Sequence, residues 1–442
     1  MRASFKTVTL GCKVNQYETE YVRQGLLRAG FREAESDQPA DLCIVNTCTV
    51  TLESDYKSRK IIRALSRDNP RTAIIVMGCY ATRAPDEVAR LPRVIHVVTD
   101  KGRLGELVAR LGGIEAPHGI AAFDRLHRPY VKVQDGCRMD CSYCIIPKVR
   151  PALASRPESE ILEEIRRLVD QGHREIVLTG IHLGHYGVGR PDHDAGAGGL
   201  AGLLRRILAL EGEFRVRLSS LEAAEVTSEL LDLMADRPDR VCPHLHIPLQ
   251  SGSDAVLARM RRRDNARQFV ARCEQIRGRL DEPALTTDVI VGFPGESDED
   301  FEATCRVVRD VGFSKVHVFR FSAREGTPAA SMPGQLAPPV KQRRAEILSQ
   351  ISRQLREEFC KRLLGRRLQV VAEVVVDDRP GLLAATADRY VTVTFSGGPE
   401  MMDRIVSVTA NRVVGDRIVG SQVRSPVAPE GTRPARRCPS NG

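Results

Sequence analysis

Short apolar runs alternate with amphipathic helical stretches over most of the chain. VTLGC precedes a helical pattern from Glu18 to Ala29, DLCIVNTC one from Tyr56 to Leu65, and TAIIVMGC a shorter one near Glu87. Strands alternating with helices predict a parallel, layered sheet. A cysteine stands just past each strand: Cys12, Cys48 and Cys79. Ligands of open α/β sheets collect outside the carboxyl ends of the strands, so three thiols from three separate units are expected to converge there.

The alternation resumes after a loop around Ala116 to Arg128, with strands at YVKVQ, EIVLTG, RVRLSS, HLHIPL, DVIVGF and KVHVF. Helical patterns near 158–171, 199–211, 226–235, 264–279 and 298–311 separate them. Six successive βα units fit a partial barrel better than a two-layer sheet, with the working end at the loops after the strands. A long helix from about Pro339 to Leu364 follows. Short alternating strands broken by Asp-Asp, Pro-Gly and Gly-Gly then read as a small β-barrel or sandwich. The fold class is α/β: a parallel α/β domain over 1–115, a (βα)6 partial barrel over 128–364, a β module over 366–425, and a Pro- and Arg-rich tail over 426–442 expected to be disordered.

Composition changes this picture little. At 42% hydrophobic and 28% charged, the 442 residues rule out a mostly disordered or low-complexity chain. Apolar runs such as Ala73 to Met77 fall far short of the ~20 residues a membrane helix needs, so no membrane partner is expected. The first residues carry no signal-peptide core, which predicts a cytoplasmic protein. Lys and Arg number 66 against 57 Asp and Glu, a net +9 compatible with a polyanionic partner. Tryptophan is absent and aromatics are 5%, which argues against recognition by many stacked rings. In a reducing compartment the twelve cysteines call for metal binding, catalysis or packing rather than disulfides.

The sharpest motif is Cys137-Arg-Met-Asp-Cys141-Ser-Tyr-Cys144, directly after YVKVQDG. Three thiols at this spacing arise by chance roughly 0.01 times in such a chain. They can hold three irons of a four-iron cluster whose usual complement is four cysteines, leaving one iron open. A zinc knuckle is the plainer alternative, but no further Cys or His pair lies nearby in sequence to complete a tetrahedral site.

This CxxxCxxC loop resembles that of the radical S-adenosylmethionine enzymes. The wider set LGCKVNQYE, NTCTVT and MGCYA, followed by CxxxCxxC and a C-terminal β module, resembles the methylthiotransferases over residues 1 to about 425. The resemblance implies two 4Fe-4S clusters. Cys137, Cys141 and Cys144 would hold one that cleaves S-adenosylmethionine to a 5′-deoxyadenosyl radical; Cys12, Cys48 and Cys79 would hold one that carries or donates sulfur. LGCKVNQYETE, TGIHLGHYG, RLSSLEA and HLHIPLQSGSD look most like the branch acting on N6-threonylcarbamoyladenosine beside the tRNA anticodon. The reaction implied replaces C–H at adenine carbon 2 by C–SCH3, one S-adenosylmethionine giving methyl and a second the radical. The implied partners are a tRNA anticodon stem-loop and an electron donor of the flavodoxin or ferredoxin kind; the sulfur donor stays unassigned. Modification of isopentenyladenosine in tRNA or of a ribosomal-protein aspartate are the alternatives, and a non-catalytic iron-sulfur RNA-binding protein is the alternative of another class.

By their place at strand carboxyl ends, Thr179, Gly180, Ser219, Ser220, Gln250, Ser251, Asp288 and Gly292 are the candidates for contact with S-adenosylmethionine. His182, His185, His244, His246 and His317 read as structural histidines rather than acid-base groups, since radical initiation at carbon 2 requires no general base. GFPGES lacks the lysine of a phosphate loop. The β module resembles the TRAM domain, whose Arg366, Arg367, Arg389, Arg404, Arg412 and Arg417 are offered to phosphates. Relatives commonly follow the cluster loop with Arg-Gly, whereas this chain has Arg150-Pro151, which puts the contact of Arg150 in question. Cys43, Cys242, Cys273, Cys305 and Cys360 are assigned to packing and Cys438 to the tail.

Overall fold

Two central strands, Leu42–Thr47 and Ala73–Gly78, are almost wholly apolar and buried, as strands covered on both faces must be. They sit in a five-stranded parallel sheet, ordered Arg32–Glu33, Ser4–Thr9, Leu42–Thr47, Ala73–Gly78, Val94–Val97. Helices Lys13–Arg28 and Leu104–Gly112 cover one face through Val22, Leu26, Leu107 and Val108. Helix Leu52–Asp68 reaches the other through Ile62. The computed structural model describes residues 3–35, 38–115, 118–123, 126–188, 198–376 and 381–423. The tail assigned to 426–442, with Cys438, lies outside the described residues.

Three features depart from the sequence reading. The edge strand Val94–Val97 and helix Leu104–Gly112 are additional, and the helical pattern near Glu87 is two single turns, Cys79–Arg83 and Pro85–Ala89. Pro85 explains the break: it starts a helix readily but cannot continue one. The four-residue edge strand is only half-buried, so its hydrophobic pattern is too short to stand out.

The central domain carries the six anticipated strands: Tyr130–Asp135, Glu175–Gly180, Arg215–Leu218, His244–His246, Ala284–Val291 and Lys315–Arg320. The first three and the last three form two parallel sheets. Parallel bridges Val216 to Val241 and Ser220 to His246 join them into one open barrel. Helices Glu158–Asp170, Gly199–Leu208, Ser228–Asp236, Ala266–Arg279 and Asp298–Val311 intervene. Helix Pro338–Arg362 starts on two prolines, suited to a first turn whose N–H groups need no partner. Beyond it, Arg367–Val375, Leu382–Ala387, Thr392–Ser396, Arg417–Gln422 and Ile405–Val414 close a five-stranded barrel. Among the described residues no helix is long and apolar enough to cross a membrane.

Buried charge joins the two barrels. Period-two alternation in Arg215-Val216-Arg217 sends both arginines to one side. There Arg215 Nε donates to Glu175 Oε2 at 2.7 Å and Arg217 Nε to Glu175 Oε1 at 2.6 Å. Their remaining N–H groups reach the carbonyls of Gln369, Thr386, Ala387 and Asp388 in the C-terminal barrel. Burial pushes the Glu175 carboxyl up, but Arg217 and Arg215 outweigh it and hold it below its ordinary range. Its contribution is therefore complete above the unfolded value near ~4.3 and is lost only as pH falls well below that. Glu175→Ala strands two buried cations, and we expect a loss of about 3–5 kcal/mol, checked by thermal unfolding at neutral pH.

Candidate active site at two cysteine trios

All three N-terminal cysteines stand at strand carboxyl ends, brought together by what precedes them. Cys12 caps helix Lys13–Arg28, Cys48 follows Leu42–Thr47, and Cys79 opens the turn after Ala73–Gly78. Gly11 (φ +113°) and Gly78 (φ +96°) take left-handed conformations that favour glycine. A Cβ on Gly11 would lie 3.2 Å from Cys48 Cβ, and one on Gly78 2.4 Å from the Thr47 carbonyl oxygen. Only glycine lets these turns approach so closely. Asn15 Nδ2 staples the strand ends, donating to Leu10 O at 2.9 Å and Thr47 O at 3.1 Å. Behind Cys48, Thr49 donates to Asp55 at 2.6 Å, and buried Arg324 of the central domain bonds to both.

Cys137, Cys141 and Cys144 occupy the loop between Tyr130–Asp135 and the turn Ile146–Val149. Backbone bonds hold it: Cys137 N donates to Arg150 O, Ser142 N to Met260 O and Cys144 N to Cys141 O. Burial raises the Cys141 thiol and pushes Cys144 up to about 12. Polar groups nonetheless face the sulfurs. Met139 N donates to Cys137 Sγ at 3.4 Å, His182 Nδ1 lies 3.5 Å from the same sulfur, and Arg262 donates to Cys141 Sγ at 3.8 Å. His182 Nε2 meets Glu225 at 2.5 Å, and Arg262 pairs with Glu222. Burial lowers the His182 pKa, but its bonds to Cys137 and Glu225 outweigh this and raise it to about 9. In sequence His182 reads as structural, and nothing local tells the three arginines at 261–263 apart. The fold instead turns the Arg262 side chain inward, 7% exposed, while Arg261 pairs with Asp140 outside.

One side chain connects the trios. Arg150, 1% exposed, donates to Cys79 Sγ at 3.4 Å and Asn15 Oδ1 at 3.1 Å, and bonds to Glu18 and Asp135 at 2.7–2.9 Å. Lys132 reaches the same carboxylates at 2.8 and 2.6 Å, so two cations face two anions. Cys79 also packs with Ile145 and Val149 from the turn after Cys144. Pro151 is exposed and does not keep Arg150 from this junction.

The eight strand-end candidates separate. Ser219, Ser220 and Asp288 line one cavity in the barrel lumen. Thr179 is buried, and a Cβ on Gly180 would lie 3.0 Å from Gln134 Oε1. Gln250 is held at φ +65°. Ser251 instead faces Thr304 of helix Asp298–Val311 at 3.2 Å, and Gly292 faces Lys341 of the long helix. Cys43, Cys242, Cys273, Cys305 and Cys360 are all buried.

Residues 131–308 match the Radical SAM superfamily, and residues 4–100 the uncharacterized protein family UPF0004. The chain is 39% identical over 420 residues to the threonylcarbamoyladenosine tRNA methylthiotransferase MtaB of Bacillus subtilis, covering 90% of this chain and 92% of that one. It belongs to the radical S-adenosylmethionine methylthiotransferases. It is also 38% identical over 428 residues to the enzyme of the same name from Chlamydia pneumoniae, covering 96% and 99%. Its fold is like that of the Kitasatospora setae radical S-adenosylmethionine methyltransferase TsrM, with TM-score 0.54, 14% identity, and 75% and 77% of the two chains covered.

Methylthiotransferases of this family use S-adenosylmethionine and two 4Fe-4S clusters. The residues present fit such groups. Among the described residues, the donor triads drawn within 4.8 Å of one another are His182, His185, Glu225 and His246, Asp288, His317; neither cysteine trio is that tight. A single tetrahedral ion needs its thiolates at about 2.3 Å, which would draw the three sulfurs closer together than this, so neither trio is gathered round a single ion. The N–H donors facing the loop sulfurs suit thiolate, whose charge they offset.

Proposed function

We propose that this methylthiotransferase acts on tRNA, replacing C2–H of N6-threonylcarbamoyladenosine beside the anticodon by C–SCH3. In this reading Cys137, Cys141 and Cys144 of the 128–364 domain hold one cluster, and Cys12, Cys48 and Cys79 of the 1–115 domain the other. The observation that carries it is the Arg150 junction, where a guanidinium bonded to Cys79 is rooted beside the cysteine loop. A sulfur carrier and a radical source must serve the same carbon, and this contact ties their two sites together. The activity named for the relatives supports the choice of substrate.

When bound, the clusters and S-adenosylmethionine supply the electron, the radical, the sulfur and the methyl group. The chain's residues hold and shield them. Arg262 directs an N–H group and His182 a ring nitrogen at the loop sulfurs, contacts of the kind that tune a cluster's potential. Arg150 fixes the junction through paired, buried charges that would be costly to separate. Thr179, Gly180 and Gln250 are offered to S-adenosylmethionine at the strand ends. An electron donor of the flavodoxin or ferredoxin kind and a cytoplasmic location complete the reading.

The residues offered to phosphates need revision. Arg389 is 8% exposed and bonded to Asp388 and Asp281, and Arg366 pairs with Asp281, so both brace the β-barrel against the central domain. Arg367, Arg404, Arg412 and Arg417 are exposed and serve as the tRNA grip in this reading. Arg404→Gln with Arg412→Gln should weaken tRNA binding and flatten the plot of log K against log salt by about 0.7–0.9 for each phosphate no longer neutralised. Binding titrations at several salt concentrations measure this.

The functional reading is tested by nucleoside mass spectrometry of cells lacking the gene. Loss of 2-methylthio-N6-threonylcarbamoyladenosine with accumulation of its unmethylthiolated precursor is expected. Loss of the methylthio group from isopentenyladenosine or a ribosomal protein instead would overturn the choice of substrate.

A further inference from the structure

A cavity of about 260 Å³ lies in the barrel lumen, and all three parts of the chain contribute to it. Lys13, next to Cys12, enters from the N-terminal domain; Ser219, His244 and Asp288 come from the central strands; Tyr390 comes from the C-terminal barrel. The Tyr390 ring lies 4.7 Å from that of His244. At this size the cavity suits one arm of a nucleoside better than a drug-sized ligand, whose pockets run from about 300 to 1,000 Å³.

Two of the residues that line it carry buried polar atoms without partners. Among the described residues, Ser219 Oγ and His244 Nδ1 are buried and make no hydrogen bond, on side chains 5% and 4% exposed. Such atoms are rare in folded proteins and mark where a ligand or ordered water belongs. His244 is tethered through Nε2 to Thr286 at 3.2 Å, and burial keeps its imidazole neutral, leaving the other ring nitrogen for a ligand. The cations on the wall differ in availability. Arg217 is committed to Glu175 and to two carbonyls. No described carboxylate forms an ion pair with Lys13. The carboxylate of Asp288 faces His246 Nε2 at 3.3 Å.

We infer that this cavity receives the N6 substituent of the substrate adenosine and that Lys13, Ser219 and His244 select an arm bearing a carboxylate. The inference rests on the reading above and deepens it. A threonylcarbamoyl arm offers a carboxylate for Lys13, together with hydroxyl and urea groups for Ser219 and His244. A dimethylallyl arm offers no hydrogen-bonding atom and would bury all three unpaired. A site built to bond polar groups rejects an analogue lacking them far more strongly than an apolar pocket rejects an extra methylene.

The test uses anaerobically reconstituted enzyme and synthetic anticodon stem-loops carrying threonylcarbamoyladenosine, its methyl ester, isopentenyladenosine or plain adenosine. For the wild type, the free acid should bind at least tenfold more tightly than the ester and the other two. Lys13→Met and Ser219→Ala should erase most of that preference, and Lys13→Arg should restore it, with iron content measured on every variant. Equal binding of acid and ester by the wild type overturns the inference without needing any variant, as does a Lys13→Met enzyme that retains full iron and full preference. The underlying reading fails separately, if the wild type releases 5′-deoxyadenosine yet forms no methylthio product on the threonylcarbamoyl stem-loop.

Discussion

Cys141→Ala is expected to abolish release of 5′-deoxyadenosine from S-adenosylmethionine. Losing a residue that merely supports a metal ligand costs about 10–100-fold, so losing a ligand itself should exceed ~100-fold. The loop should survive the change. Its backbone bonds from Cys137 N to Arg150 O and from Ser142 N to Met260 O do not involve the Cys141 sulfur. Arg262 stays anchored by Glu222 and by Pro248 O. The defect should therefore appear as a missing cluster in a folded protein, with iron falling by about half. Anaerobic turnover with dithionite, followed by chromatography of the nucleoside products, measures it; wild-type cleavage would remove Cys141 from the site.

Cys48→Ala should separate the two halves of the chemistry. Cys48 ends a strand of the N-terminal sheet, and its setting of Thr49, Asp55, Arg83 and Arg324 contains no residue of the cysteine loop. Release of 5′-deoxyadenosine should stay within about twofold of wild type, while methylthio product falls by more than ~100-fold. The expected outcome is uncoupled consumption of S-adenosylmethionine. Normal product from this variant would take the N-terminal trio out of the reaction.

How much was legible in sequence depended on range. The three N-terminal thiols and the cysteine loop were visible because each follows an apolar run that reads as a strand, and period and spacing are local signals. The six barrel strands were visible for the same reason. Residues acting across the fold were not. Arg150 meets Glu18 from 132 positions away, and Arg262 meets Cys141 from 121; the stretch after the cysteine loop marks Arg150 without naming its partners, and nothing local distinguishes Arg262 from a solvated arginine. Strand-end position also fails to say which way a side chain turns: Ser219 lines the lumen, whereas Ser251 faces a surrounding helix. Arg389 looked like a phosphate ligand because its partner Asp281 lies in another domain. Lys13 and Tyr390 enter the lumen from opposite ends of the sequence, so although strand-end position marks Ser219, Ser220 and Asp288, no local signal marks these two.

The central claim is that six thiols hold two iron-sulfur clusters beside one substrate. Iron and sulfide analysis with Mössbauer spectroscopy on anaerobically purified, reconstituted wild-type protein tests it most directly. Two four-iron clusters predict about eight irons and eight sulfides per chain, all in cubane signals. About four irons, or zinc in place of iron at either trio, would contradict it.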